Sequence, residues 1–178
     1  MKHLCLSILL AGLGLAAFAQ SGQNDLSILK TLEKENYTLK YLSTFDLDES
    51  GQMGTKFIIF AKLESPEDAF RENVNLIVQD LKGMDLNLDK YTQLSEEQVK
   101  TMVTNSKLIE SKRIKTDKDE YHIINYTGDQ GMYHLHFEQW YRVLNDKAYV
   151  LTFTAEQSQY ERYQSFCETV MNSFRIKE

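Results

Sequence analysis

The chain has 178 residues, with 20 Lys and Arg against 26 Asp and Glu, a formal net charge of −6. An acidic chain repels phosphate backbones and anionic lipid, so nucleic acid and membrane surfaces are not expected partners. At this length one domain is the natural count.

The first twenty residues, MKHLCLSILLAGLGLAAFAQ, carry one internal lysine, an apolar run from Leu4 to Phe18, and small residues at Ala17 and Ala19. That is the pattern of a cleaved secretory signal. The run is short for a membrane-spanning helix, which takes roughly 20 apolar residues, and no charged stop-transfer cluster follows it. Residues 1–19 are therefore expected to be removed, leaving a soluble periplasmic or secreted chain that starts at Gln20. Cys5 lies too early to be the acylated cysteine of a lipoprotein. The mature 159 residues carry 19 Lys and Arg against 26 Asp and Glu, net −7, and Cys167 is the only cysteine left. An intramolecular disulfide is then impossible.

Residues 20–36 are polar with Leu26, Leu29 and Leu32 at a spacing of three, which fits either a tether or a short helix capped by Asp25. YTLKYL (37–42) and KFIIFAKL (56–63) alternate and read as strands, with turn residues in DESGQMG (48–54) between them. Pro66 marks another turn. NVNLIVQDL (73–81) alternates again, placing Val74, Leu76 and Val78 on one face. Ser95 and Gln98 form a capping box ahead of Val99, Met102 and Val103, which predicts a helix over 96–106.

Four strands follow, at 108–115, 121–127, 132–144 and 147–155, joined by TDKDE, GDQG and Asn145-Asp146. Short turns make such strands antiparallel neighbours. Ser158 and Glu161 form a second capping box before Tyr160, Tyr163, Phe166, Cys167, Val170, Met171 and Phe174, which recur every three or four residues. That periodicity predicts an amphipathic closing helix whose apolar stripe docks on the sheet. The class is α+β: an α/β/α sandwich around a mostly antiparallel sheet, as a single domain over 37–178.

The stretch YHLHFEQW (133–140) holds the strongest candidate site. Alternation sets His134, His136 and Glu138 on one strand face. If Asn145-Asp146 is a two-residue turn, Glu138 lies opposite Phe153 and Trp140 opposite Leu151. The histidine face is then half apolar and covered. Two histidines at i and i+2 supply two of the three or four ligands that a divalent metal needs, and Glu138 stands at the limit of reach. Pairing Gly128 with Gly131 would put His122 opposite Phe137, facing away, with Asn125 and Tyr121 flanking the pair. A hydrogen-bonded polar patch is the expected reading, and a small-ligand or divalent-metal module on His134, His136 and Glu138 is the alternative.

Other chemistries find less support. Cys167 falls in the apolar stripe beside Phe166 and Val170, so its expected role is packing. No G-x-S-x-G, G-x-G-x-x-G or Walker loop is present. The acidic groups Asp46/Asp48 and Asp117/Asp119/Glu120 lie in turns and are expected to be solvated. Lys112, Arg113, Lys115 and Lys118, interrupted by Asp117, read as surface charge rather than an anion site.

Several runs together, YTLKYLSTFDLDESGQMGTKFIIFAKLE (37–64), DAFRENVNLIVQDL (68–81), LDKYTQLSEEQV (88–99), AYVLTFTAEQSQYERY (148–163) and NSFRI (172–176), resemble the PsbP-like family, which takes in DcrB-type bacterial envelope proteins. The resemblance covers nearly all of the mature chain in order. Many members carry a proline and a tryptophan after the first strand, where Leu42 and Phe45 stand here. The resemblance implies an α/β/α sandwich and a non-enzymatic role; the supply of aromatics and the two capped helices predict, separately, a chain that folds without a cofactor. Family members act as accessory or assembly subunits: one supports the oxygen-evolving centre of a photosystem, and a eukaryotic relative binds a small GTPase. Neither role maps onto residues of this chain. The expectation is an exported accessory protein that holds a protein partner in the cell envelope. A hydrolase ranks last, motivated only by scattered Asp, Ser and His.

Overall fold

Alternation of apolar and polar side chains dominates the chain, and it is realised as strands. The computed structural model describes residues 28–66 and 68–177; the expected signal at 1–19 and the Asp25 cap lie outside them. Within the described residues the strands are β1 (Leu29–Glu33), β2 (Tyr37–Leu42), β3 (Asp46–Asp48), β4 (Thr55–Phe60), β5 (Asn73–Asp80), β6 (Thr104–Lys115), β7 (Glu120–Gln130), β8 (Tyr133–Leu144), β9 (Lys147–Glu156) and β10 (Arg175–Ile176). The helices are α1 (Leu88–Met102) and α2 (Tyr160–Ser173).

Seven strands form the central antiparallel sheet in the order β3-β4-β5-β9-β8-β7-β6, and β1-β2-β10 form a second, small antiparallel sheet. Asn145 and Asp146 both take positive φ, 50° and 53°, the signature of a tight two-residue hairpin turn. Leu144 therefore pairs with Lys147, and the expected partners Glu138↔Phe153 and Trp140↔Leu151 follow.

Each face of the central sheet is covered. Leu135, Phe137 and Tyr141 of β8 join Ile124, Tyr126 and Val150 beneath Tyr91 and Val99 of α1. On the other face, Trp140, Leu151 and Phe153 pack under Phe166, Val170 and Met171 of α2 and under Leu39 and Tyr41 of the small sheet. Val170 and Met171 are fully buried, and burying a side chain of that kind contributes about 1.5–3 kcal/mol. The second covering layer is thus a helix together with a three-stranded sheet.

Several local expectations are corrected. Helix α1 starts eight residues before the expected 96 and ends before 106. Its cap is Asn87, whose side chain accepts the Lys90 N–H at 2.9 Å. Ser95 sits buried in mid-helix, where its hydroxyl donates to the Tyr91 carbonyl one turn back, so it packs rather than caps. Helix α2 has Gln159 at its cap position with no side-chain cap bond, one residue past Ser158. The described part of 20–36 holds a strand rather than a helix: Leu29 to Glu33 pair with Leu42 to Thr38, and Leu32 is buried. A leucine spacing of three fits a helix only if no neighbouring strand claims the backbone, and β2 does. Finally, β7 and β8 pair Gln130 with Tyr133, so the turn sits at Gly131 and Met132, not between Gly128 and Gly131. His122 meets Tyr141 instead of Phe137. The slip is an even number of residues, so it leaves every side chain on its expected face.

Candidate functional site on the histidine face of β8

His134, His136 and Glu138 share a face of β8, as alternation requires. His134 lies at its exposed end, its Nδ1 2.6 Å from Asp129 on β7. Hydrogen bonds from Asn105 and then from His134 hold the Asp129 carboxyl below its ordinary range. His136 is half-buried and stacks on Tyr160 of α2, ring centroids 3.5 Å apart and planes 10° from parallel. Its Nε2 is bonded to the Asn125 side-chain oxygen. A carbonyl oxygen only accepts, so Nε2 is assigned the hydrogen. Burial pulls the His136 pKa down to about 4, and the ring is neutral at pH 7.

Glu138 completes a network. Its Oε1 accepts the Trp140 indole N–H at 2.7 Å and its Oε2 accepts the Tyr160 hydroxyl at 2.6 Å. The Asn125 amide in turn donates to the Tyr160 oxygen at 3.4 Å. A continuous chain of hydrogen bonds therefore runs from His136 through Asn125 and Tyr160 to Glu138, closed by Trp140. Burial and then the hydrogen bond to Glu138 push the Tyr160 hydroxyl far above its ordinary pKa. Behind it, the Cys167 thiol is buried and its pKa is raised, first by burial and then by the Glu138 and Glu168 charges. A thiol held protonated is a packing group and not a nucleophile.

The structure thus brings His136 and Glu138 together through Tyr160, while His134 turns to Asp129. Among the described residues no group of three His, Cys, Asp or Glu side chains is placed to hold a metal ion. On the opposite face, the His122 Nε2 lies 2.7 Å from the Ser111 hydroxyl, which donates to Glu96. Since Ser111 has one hydrogen and the carboxylate takes it, Nε2 must donate to Ser111. The remaining nitrogen, Nδ1, is buried without a hydrogen-bond partner among the described residues. Among the described residues no group orients this ring as a base toward the serine.

Three features were not legible in the sequence. Tyr160, read as core stripe, is the hub of the network. Arg142 is only 5% exposed and is held side-on by Asp119, through Nε at 3.1 Å and Nη2 at 2.7 Å. Its guanidinium lies 4.5 Å from the Tyr121 ring centroid and 5.6 Å from that of Phe174. Asp119 is therefore not a solvated turn carboxylate, because the β6–β7 turn folds it over the end of β8. Third, Glu72 is 2% exposed just before β5. Burial pushes its pKa up to about 7, although its carboxyl takes N–H bonds from its own backbone and from Glu156, with the Asp68 and Glu156 charges adding to the rise.

No protein-family model and no curated protein matches the chain. Solved structures do. The cyanobacterial PsbP protein CyanoP from Synechocystis superposes with a TM-score of 0.65 at 16% identity, over 89% of this chain and 98% of that one. LpqN of Mycobacterium tuberculosis, described as involved in cell envelope biogenesis, gives a TM-score of 0.63 at 9% identity over 87% of this chain and 94% of that one. A protein from Pseudomonas aeruginosa gives 0.52 at 13% identity, covering 77% and 89%. Identities this low speak for architecture alone. With nearly all of both chains superposed on CyanoP, and the α+β layers in place, the chain has the PsbP-like fold.

Proposed function

We propose that the protein is exported, loses residues 1–19 near Ala19, and serves as a non-enzymatic accessory protein of the cell envelope that holds a protein partner. The observation that supports this most is the engagement of the histidine face. His136, Asn125, Tyr160, Glu138 and Trp140 satisfy one another's hydrogen bonds. Such a network fixes α2 to the sheet. Recruiting His136 and Glu138 to one metal ion would strip Asn125 and Tyr160 of their partners. The likeness to CyanoP and to LpqN points the same way, as analogy of fold.

The test is photocrosslinking in the native host, with a benzophenone amino acid placed singly at the exposed positions Leu94, Ile109 and Met132, followed by cell fractionation. The expected result is a processed chain in the envelope fraction and a discrete protein adduct from at least one position. A chain that stays unprocessed in the cytoplasm, or one that gives no adduct from any position, contradicts the proposal.

A further inference from the structure

The N-terminal end of α1, the β6–β7 turn, the end of β8 and the strand β10 enclose a cleft of about 550 Å³, a volume usual for small-molecule sites. Its apolar wall is formed by Leu88, Val143, Leu144, Phe174 and Ile176. The polar side is unusual for so acidic a chain. Arg142, nine-tenths buried, binds Asp119 through Nε and Nη2, and its Nη1 has no hydrogen-bond partner among the described residues. That nitrogen is not sealed off, since the only buried side-chain nitrogen or oxygen atoms left without a partner among the described residues are His122 Nδ1 and Thr154 Oγ1. The Tyr121 and Phe174 rings pack against the guanidinium, their centroids 4.5 and 5.6 Å from its carbon.

Arg175, from β10, uses Nη1 on the carbonyls of Asn172 and Phe174, at 2.8 and 2.7 Å. This orients the guanidinium without neutralising it. Lys118, read from sequence as surface charge, has no ion-pair partner among the described residues. The remaining cation, Arg113, is engaged by Asp89 and Glu120. Four cations, Arg113, Lys118, Arg142 and Arg175, thus face three carboxylates, Asp89, Asp119 and Glu120, and the cleft keeps one positive charge in excess. A single excess charge beside an apolar wall complements one carboxylate on an apolar tail. A phosphate dianion would leave a negative charge uncompensated.

We propose that this cleft binds a small amphipathic monocarboxylate, its head on the free edge of Arg142, on Arg175 and on Lys118, and its tail on Val143 and Phe174. None of His134, His136 and Glu138 lines this cleft, which sits at the opposite end of β8 from His134, and the proposal goes beyond the accessory role proposed above, so either reading can fail without the other.

The test is calorimetric titration of the full chain with octanoate, acetate, octanol and inorganic phosphate. Octanoate is expected to bind at least about tenfold more tightly than each of the other three, since acetate lacks the tail, octanol the charge and phosphate the match in charge. Arg175→Gln with Lys118→Gln should weaken octanoate by about tenfold or more while leaving the circular dichroism unchanged. Val143→Glu, which puts a carboxylate in the wall, should abolish binding. Octanoate binding that is undetectable at millimolar ligand, unchanged in the double variant, or matched by phosphate overturns the proposal.

Discussion

Replacing Glu72 by glutamine should change how the stability of the fold depends on pH, and the sign follows from its burial. The folded-state pKa is raised from 4.5 to about 7, so the folded protein holds this proton more tightly than the unfolded chain does. The stability contributed is fully present below about pH 4.5, declines as pH rises through the interval, and is lost above about 7. A tenfold change in proton affinity is worth about 1.4 kcal/mol. The interval then amounts to about 3 kcal/mol, of which about 2 kcal/mol falls between pH 5 and pH 8. His136 acts in the opposite sense: its folded pKa is lowered from 6.5 to about 4. Its contribution is present above about pH 6.5 and is lost as pH falls toward 4. The two nearly cancel between pH 4.5 and 6.5 in the native sequence, and removing one exposes the other. Urea unfolding of the full chain and of Glu72→Gln at pH 5 and pH 8 reads the difference directly. The variant should gain about 2 kcal/mol on the native sequence in going from pH 5 to pH 8, because glutamine keeps an oxygen for the Glu156 N–H and carries no proton to lose. An equal stability difference at both pH values would refute the reasoning.

Asp119→Ala leaves the buried Arg142 guanidinium without its carboxylate and should cost about 3 kcal/mol in urea unfolding; a cost below about 1 kcal/mol would show that solvent already serves that charge. Gly128→Ala would set a Cβ 2.3 Å from Val103 Cγ1 and 3.3 Å from the Thr104 carbonyl oxygen, costing about 1–3 kcal/mol in a thermal melt. Adding Val103→Ala should recover part of that loss, and no recovery would place the clash elsewhere. Tyr160→Phe removes the donor to Glu138 and the acceptor of Asn125 and should cost about 1–3 kcal/mol. A neutral outcome would mean that the network does not fasten α2 to the sheet.

Much of the architecture was readable because period-two alternation and turn chemistry are local signals. The strands at 37–42 and 147–155, the Asn145-Asp146 hairpin and the apolar stripe of α2 all followed from residues a few positions apart. Helix α1 was misplaced because two cap signals compete: Ser95 and Gln98 match a capping box, but Tyr91, Ser95 and Val99 already form the buried face of a helix begun at Asn87. The β1 strand depended on a partner, β2, that propensity does not see. At the site, alternation put His134, His136 and Glu138 on one face, yet what they bind was decided by Asn125 on the neighbouring strand and Tyr160 on a helix 22 residues beyond Glu138. Buried Arg142 and Glu72 were missed for the same reason, since their burial is a product of packing and not of sequence neighbours.

The central claim is that the histidine face is a structural network and not a metal site, and thermal melting of the full chain tests it most directly. The protein is melted after chelator treatment and again with added zinc, manganese or calcium. A ligand of the native state at a hundredfold excess over its dissociation constant stabilises by about 2.7 kcal/mol, a shift that is easily seen. No change in melting temperature is the predicted result. A clear rise that disappears in the His134→Ala, His136→Ala variant would contradict the account and make YHLHFEQW a metal site.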